Sequence, residues 1–306
     1  MHRLDARWCR ALVRSSLEGS AVKLMRLFEK HIYHPCSLPP SVEMENKLLR
    51  LRRIVPPEGK TVIVPIDHGI EGYFPQLEDY RGLVSALIAG GADALLVRRG
   101  LLKRVADLVA GRAGVVYRVS GATVTSPDVQ DQRLVATVFE AVRVGADAVV
   151  FTVTIGHPKE ADMLTAFGEV VDEASYYGLP VIGEAEPWSK ATEEERAELL
   201  RQGARILSEE GADIVKTFFP KDESHYPKIV RYSLAPVVAA GGPRLNSQLD
   251  VLRFVKAVMD AGAIGTCMGR NVWGWDSPEL MVKAVAAIVK KGASVEEASR
   301  ILGGSR

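Results

Sequence analysis

The chain has 306 residues, is 47% hydrophobic, and carries 39 basic against 38 acidic side chains for a formal net charge of +1. That provides for one large core and gives no electrostatic footprint for a nucleic acid or a membrane surface as partner. Three cysteines, Cys9, Cys36 and Cys267, are too few and too scattered for a disulfide framework or a zinc site, which fits a reducing, cytoplasmic setting, and no stretch approaches the ~18 apolar residues of a spanning helix.

Residues 1–43 differ in character from the rest. MHRLDARWCRALVRSS carries arginines at 3, 7, 10 and 14 on roughly one helical face. It lacks the apolar run of a secretory signal, and Asp5 counts against a targeting helix. Three prolines in HPCSLPPSVE break any helix there, and MENKLLRLRRI reads as a natural chain start at Met44. The expected organisation is an N-terminal extension over 1–43, either a packing arm or a disordered leader, followed by one domain over 44–306.

From residue 61 onward short apolar runs alternate with amphipathic helices. The runs are TVIVPID (61–67), DALLVRR (93–99), VVYRVS (115–120), DAVVFTV (147–153), PVIGEAE (180–186), DIVKTFF (213–219), PVVAAGG (236–242) and IGTCMGR (264–270). Their continuous, β-branched character is that of parallel strands buried on both faces. Three follow the tripeptide Gly-Ala-Asp at 91, 145 and 211, and a fourth follows Gly262-Ala263, glycine being suited to end a helix ahead of a strand. Between the runs, Leu134, Val135, Val138, Phe139 and Val142 fall on one helical stripe. Thr192 with Glu195 forms a capping box for a helix running to about residue 209. Leu280, Met281, Ala284, Val285, Ile288 and Val289 form another stripe ended by Gly292, and Ser294 with Glu297 opens a last short helix. Eight strands, and no GxGxxG after the first, favour a (β/α)8 TIM barrel of the α/β class over a doubly wound open sheet.

A barrel carries its chemistry at the C-terminal ends of its strands. The candidates are Asp67 and His68, Arg98 and Arg99, Ser120, Thr152 and Thr154, Glu184 and Glu186, Lys216, Gly241 to Arg244, and Gly269 to Asn271. Lys216 stands out, because an ammonium within an apolar run loses its water. Burial is expected to depress its pKa, a nearby guanidinium to depress it further, and the neutral amine to attack a carbonyl. The alternative reading of Lys216 is a structural lysine neutralised by an interior carboxylate, and period alone leaves its facing open. AAGGPR (239–244) and CMGRNVW (267–273) end the seventh and eighth strands, where barrels often bind phosphate. Backbone N–H groups of Gly241, Gly242 and Gly269, a helix N-terminus, and Arg244 and Arg270 would hold the anion. Asp67 can hydrogen-bond a substrate hydroxyl or shuttle a proton. His68 is a candidate substrate contact, and His157 reads as a loop donor. No HExxH and no ligand-spaced histidines signal a metal.

PIDHG, GADAVVFTV, ADIVK, AAGGP and MGRNVW, in this order, resemble the archaeal-type class I fructose-bisphosphate aldolases. That wider aldolase group also contains 2-amino-3,7-dideoxy-D-threo-hept-6-ulosonate synthase and the thiolase of autoinducer-2 catabolism. The resemblance covers residues 50 to 300. It implies a metal-independent lyase with no cofactor beyond a covalent Schiff base at Lys216, with Asp67 as the first-strand carboxylate. It also implies a substrate phosphate on Gly241, Gly242, Gly269 and Arg270, a phosphorylated keto sugar as substrate, and a homo-oligomer, often a decameric ring. One departure is clear. Where the aldolases and the synthase have an acid/base tyrosine before proline, this chain reads GEAEPWSK, with Glu186 before Pro187. Glu184 or Glu186 can take that role if burial raises its pKa toward neutrality; otherwise each is a solvated loop carboxylate. The expected activity is a fructose-bisphosphate aldolase-like cleavage between C3 and C4. The alternatives are a heptulosonate-synthase-like transaldolase and a phosphopentanedione thiolase, toward both of which SPDVQDQRLVATV and KTFF lean, and a non-catalytic sugar-phosphate-binding barrel.

Overall fold

The computed structural model describes residues 40–303. Of the extension expected over 1–43, residues 1–39 lie outside the described part. Residues 40–43 are helical rather than broken by proline: α1 runs Pro40–Ile54, with proline at its first position, where its missing N–H is no loss.

All eight expected strands form, in one closed parallel barrel. They are β1 (Thr61–Pro65), β2 (Ala94–Val97), β3 (Gly114–Arg118), β4 (Ala148–Ile155), β5 (Val181–Pro187), β6 (Ile214–Phe218), β7 (Val237–Ala240) and β8 (Gly265–Cys267). Each pairs with its neighbour in sequence, and β8 closes on β1 with Thr61 opposite Gly265. Helices lie between the strands: α2 (Tyr80–Ala89), α3 (Arg99–Val109), α4 (Val138–Arg143), α5 (Glu160–Tyr176), α6 (Glu193–Glu209), α7 (Tyr226–Tyr232) and α8 (Gln248–Asp260). After β8 come α9 (Arg270–Trp273), α10 (Pro278–Lys291) and α11 (Val295–Gly303). The capping box at Thr192 and Glu195 is present, Gly292 ends α10 in the left-handed conformation, and Ser294 and Glu297 bond each other's backbone N–H groups. Among the described residues no helix is long and apolar enough to cross a membrane.

The core has two parts. One lies between strands and helices, and the other fills the barrel with Ile63, Leu96, Val116, Val150, Ile182, Ile214 and Val238. Ile54 of α1 joins the second and closes the N-terminal end of the barrel. At that end the Gly-Ala-Asp repeat acquires a purpose. Asp93, Asp147 and Asp213 each accept the backbone N–H of a residue in the strand before: Val62 at 2.8 Å, Val115 at 2.9 Å and Val181 at 2.8 Å. Each also meets a cation, Lys290, Arg53 and Lys47 respectively. The glycine two residues earlier has positive φ in all three copies, a conformation costly for any other residue.

The stripe expected over 134–142 is corrected. Ser120–Gly121 and Arg133–Leu134 form a short antiparallel ladder, and Thr137 caps α4 by accepting from Glu140 N–H at 3.1 Å. Of the stripe, Leu134, Val135 and Phe139 are exposed, Val142 is half-buried and only Val138 is buried, joined there by Ala141 of the same helix. The ladder holds residues 133 and 134 extended, so the helical period begins only after the cap.

Candidate active site

The barrel interior changes chemistry one layer above its apolar fill. Two residues beyond Val116, Val150, Ile182 and Ile214 stand Arg118, Thr152, Glu184 and Lys216, which alternation turns to the same inner face. Register sets three of them side by side, Thr152 opposite Glu184 and Glu184 opposite Lys216. The facing of Lys216 is therefore inward.

A chain of buried charge results. Lys216 Nζ lies 2.6 Å from Glu184 Oε1. Glu184 Oε2 accepts from Arg118 Nη1 at 2.6 Å and from Thr152 Oγ1 at 2.9 Å. Arg118 Nε donates to Asp67 Oδ2 at 2.9 Å, just past β1. All of these residues are buried. Arg118 was not among the sequence candidates, although it gives the same signal as Lys216, a cation within an apolar run.

The electrostatics correct one expectation. Burial does push the Lys216 ammonium toward the neutral amine and Arg118 adds to it, but the Glu184 carboxylate, with Cys267 and Asp67, outweighs them. Lys216 therefore stands above its usual pKa and rests as an ion pair. Burial would raise Glu184, yet Arg118 and Lys216 hold it well below the usual carboxylate range. Asp67 is likewise lowered, burial being overcome by Arg118, His68 and Lys216. Glu186, next inward on β5, behaves in the opposite way: burial and then the charge of Glu184 raise it to about 7. Two carboxylates two residues apart thus differ at neutral pH, Glu184 being ionised and Glu186 poised near its midpoint. Burial pushes the Cys267 thiol up to about 12, which leaves it inert as a nucleophile.

The loops after β7 and β8 meet as expected. Buried Asn271 donates to the carbonyls of Gly241 at 2.7 Å and Pro243 at 3.0 Å and accepts from Leu245 N–H at 2.8 Å. Arg270 Nη2 donates to Gly242 O at 3.3 Å, while its Nε is buried with no hydrogen-bond partner among the described residues. Gly269 admits no side chain, since a Cβ would lie 2.4 Å from the His68 ring. Two expectations fail here. Arg244 is exposed, with its guanidinium carbon over the Trp275 ring 4.1 Å from the centroid, outside the cavity wall, because the aromatic face offers the guanidinium a better surface than open water. The helix after β8 is one turn, α9, too short to supply much of a dipole.

His68 lines the cavity, packed edge-on to Trp273 with ring centroids 5.2 Å apart, and burial lowers its pKa and keeps it neutral. Arg98 also lines it, donating to the carbonyls of Asp67 and Ser120, whereas Arg99 points outward to Val135 O. Ser120 and Thr154 serve the backbone: Ser120 Oγ accepts from Thr152 N–H, and Thr154 Oγ1 donates to Gln130 O. His157 sits beside the site, 2.8 Å from Asp128. Sequence reading also passed over Gln130 and Arg196, which border the exit of β5. Among the described residues no tyrosine lines the cavity, and no three His, Cys, Asp or Glu side chains converge to hold a metal.

Lys216, Asp67, Glu184, Glu186, His68, Gly241, Gly242, Gly269 and Arg270 thus all face one cavity of about 470 Å³ at the C-terminal mouth of the barrel. A family model described as DeoC/LacD family aldolase matches residues 61–274. The chain is similar to the 2-amino-3,7-dideoxy-D-threo-hept-6-ulosonate synthase of Halobacterium salinarum, 34% identical over 83% of this chain and 95% of the relative. It matches synthase 1 of the same name from Archaeoglobus fulgidus at the same identity and coverage. Among solved structures it is similar to an archaeal fructose 1,6-bisphosphate aldolase, at 27% identity, TM-score 0.73, and 79% and 98% coverage of the two chains. Another solved structure, of an archaeal fructose-1,6-bisphosphate aldolase with the catalytic Lys covalently bound to the carbinolamine intermediate of the substrate, matches at 27% identity and TM-score 0.73 over 79% of this chain and 99% of that one. With its family model spanning the barrel from β1 to α9, the chain belongs to the DeoC/LacD family of aldolases and is an enzyme of the class I, Schiff-base type.

Proposed function

We propose that this enzyme makes or breaks a carbon–carbon bond in a phosphorylated keto sugar, with Lys216 as the Schiff-base lysine and Glu186 in the place of an acid/base tyrosine. The observation that carries this reading is a buried amine 2.6 Å from the ionised Glu184 carboxylate, in one cavity with Glu186, whose carboxyl burial raises to about 7. Lys216 passes a proton to Glu184 and attacks the ketone carbon, and loss of water leaves an iminium. In cleavage, ionised Glu186 takes the C4 hydroxyl proton, the C3–C4 bond breaks, and its electron pair enters the C2–C3 bond as an enamine while an aldehyde leaves. Reprotonation at C3 and hydrolysis of the iminium return the amine. Asp67, kept anionic by Arg118, accepts a hydrogen bond from a substrate hydroxyl. Gly241, Gly242, Gly269 and Arg270 hold the phosphate, whose binding energy positions the carbonyl. The free Arg270 Nε is a donor available to that anion.

Trapping with borohydride in the presence of dihydroxyacetone phosphate tests this directly. The peptide containing Lys216 gains the mass of the reduced adduct; an unmodified Lys216 under reduction sinks the mechanism. A second reading, transaldol transfer like that of the heptulosonate synthase, is favoured by the 34% identity to relatives of that name. Product formation with aspartate semialdehyde as acceptor, against fructose 1,6-bisphosphate cleavage, separates the two, and an acyl-CoA acceptor tests the thiolase alternative. We also propose a homo-oligomer, with a decameric ring as the expected assembly, to be weighed by mass photometry.

A further inference from the structure

The loop after β3 lines the cavity at the barrel mouth with Ala122, Val124, Val129 and Gln132 and, at Gln130, meets the exit of β5. Its Gln130 is buried, with 7% of its surface exposed. The carboxamide spans two backbone groups of the segment that follows Glu186: Nε2 donates to Pro187 O at 3.3 Å, and Oε1 accepts from Ser189 N–H at 2.8 Å. The backbone of Gln130 is itself pinned, its carbonyl by Thr154 Oγ1 at 2.8 Å and its N–H by Asp128 Oδ1 at 3.0 Å. The other Asp128 oxygen meets His157 Nε2 at 2.8 Å, and the His157 ring stands edge-on to Trp188, centroids 5.9 Å apart. Loops after β3 and β4 therefore grip the β5 exit from two sides, around the residue opposite Thr154 in register, Glu186. A loop that only closed over the cavity would not need a buried amide bonded to both sides of Trp188.

We propose that Gln130 is the positioning residue of Glu186, fixing that carboxyl at the mouth of the barrel, and that the Asp128–His157 pair braces Gln130 for this task. The proposal rests on the reading of Glu186 as the acid/base group. Four other charged groups bear on the same carboxyl. Glu184 and Glu71 raise its proton affinity, Lys216 lowers it, and Arg196 borders the same cavity. Arg118 acts on it through Glu184. The Gln130 carboxamide, held next to Glu186 by its bond to Pro187 O, favours the ionised form and so works against burial.

The experiment follows the Glu186 carboxyl by 13C NMR titration in protein labelled at glutamate, the resonance being identified by its loss in Glu186→Gln. Cleavage of fructose 1,6-bisphosphate is measured on the same variants. In Gln130→Leu the midpoint moves up by about one pH unit, and kcat falls about 10-fold with KM changed by less than about twofold. Asp128→Ala, which leaves Gln130 in place, shifts the midpoint in the same direction by less, and serves if Gln130→Leu does not fold. A midpoint unmoved in both, with any loss of rate uniform across pH, overturns the proposal. If Glu186→Gln retains full turnover, the acid/base reading fails, and the NMR midpoints still decide whether Gln130 governs this carboxyl.

Discussion

Both ends of the barrel bury carboxylates beside cations, but they satisfy them differently. At the N-terminal end, Asp93, Asp147 and Asp213 each hold a strand N–H as well as a cation. At the C-terminal end, Asp67 and Glu184 meet side chains of Arg118, Thr152 and Lys216, and among the described residues no cation is bonded to Glu186. A carboxylate held by backbone cannot give up its partner without opening a strand pair, so it is structural. One held by other side chains can exchange protons and partners while the sheet stays intact. The difference between cradle and chemistry is thus a difference in what the oxygen atoms bond.

Substitutions that cross this divide test it. Lys216→Ala has the largest expected effect: turnover falls by ~10³-fold or more in steady-state assays, while inorganic phosphate binding by calorimetry persists. A non-catalytic barrel would show no such split. Glu186→Gln lowers kcat by about 10²–10⁴-fold and removes the pH limb near 7. In the wild type, cleavage rises as pH rises through that value, because the base form acts, and condensation falls. The same variant checks the stability sign. A carboxyl whose folded pKa is raised favours the folded state when protonated, so the wild type loses stability relative to Glu186→Gln as pH climbs from its ordinary range to about 7. Arg118→Leu leaves Asp67 and Glu184 without their shared cation and costs about 3–5 kcal/mol in denaturant melts, with activity lost as well. Asp147→Ala strands the Val115 N–H and costs about 1–3 kcal/mol, with kcat unchanged; a change in kcat there would erase the contrast between the ends.

Much of this was legible in the sequence. The eight strands, the two glycine loops, Lys216 and Asp67 are local signals, each readable from a few neighbouring residues. Period does not tell which oxygen a buried amine will meet. The neutral amine expected of Lys216 is instead an ion pair because Glu184 arrives from the adjacent strand in register. Arg118 was hidden for the same reason, since its partners lie just past β1 and on β4 and β5. Arg244 was misplaced because an arginine beside a glycine loop has two attractive ends to its reach, an anion or an aromatic face, and Trp275 lies on the outer side.

The Gly-Ala-Asp repeat also bears on how the chain reaches its fold. Its three aspartates join β1 to β2, β3 to β4 and β5 to β6, across separations of only 31, 32 and 32 residues. Loops of that length close at modest entropic cost, whereas the ring is completed by β8 returning to β1, with 203 residues between Lys60 and its bond to Ala263 O. Each stitched pair can hold its register before the barrel exists, and the seam at β1 and β8 is the one that must wait. Pulse-labelled hydrogen exchange during refolding is expected to protect the Val62, Val115 and Val181 amides ahead of Thr61, whose N–H bonds Ile264 O across that seam.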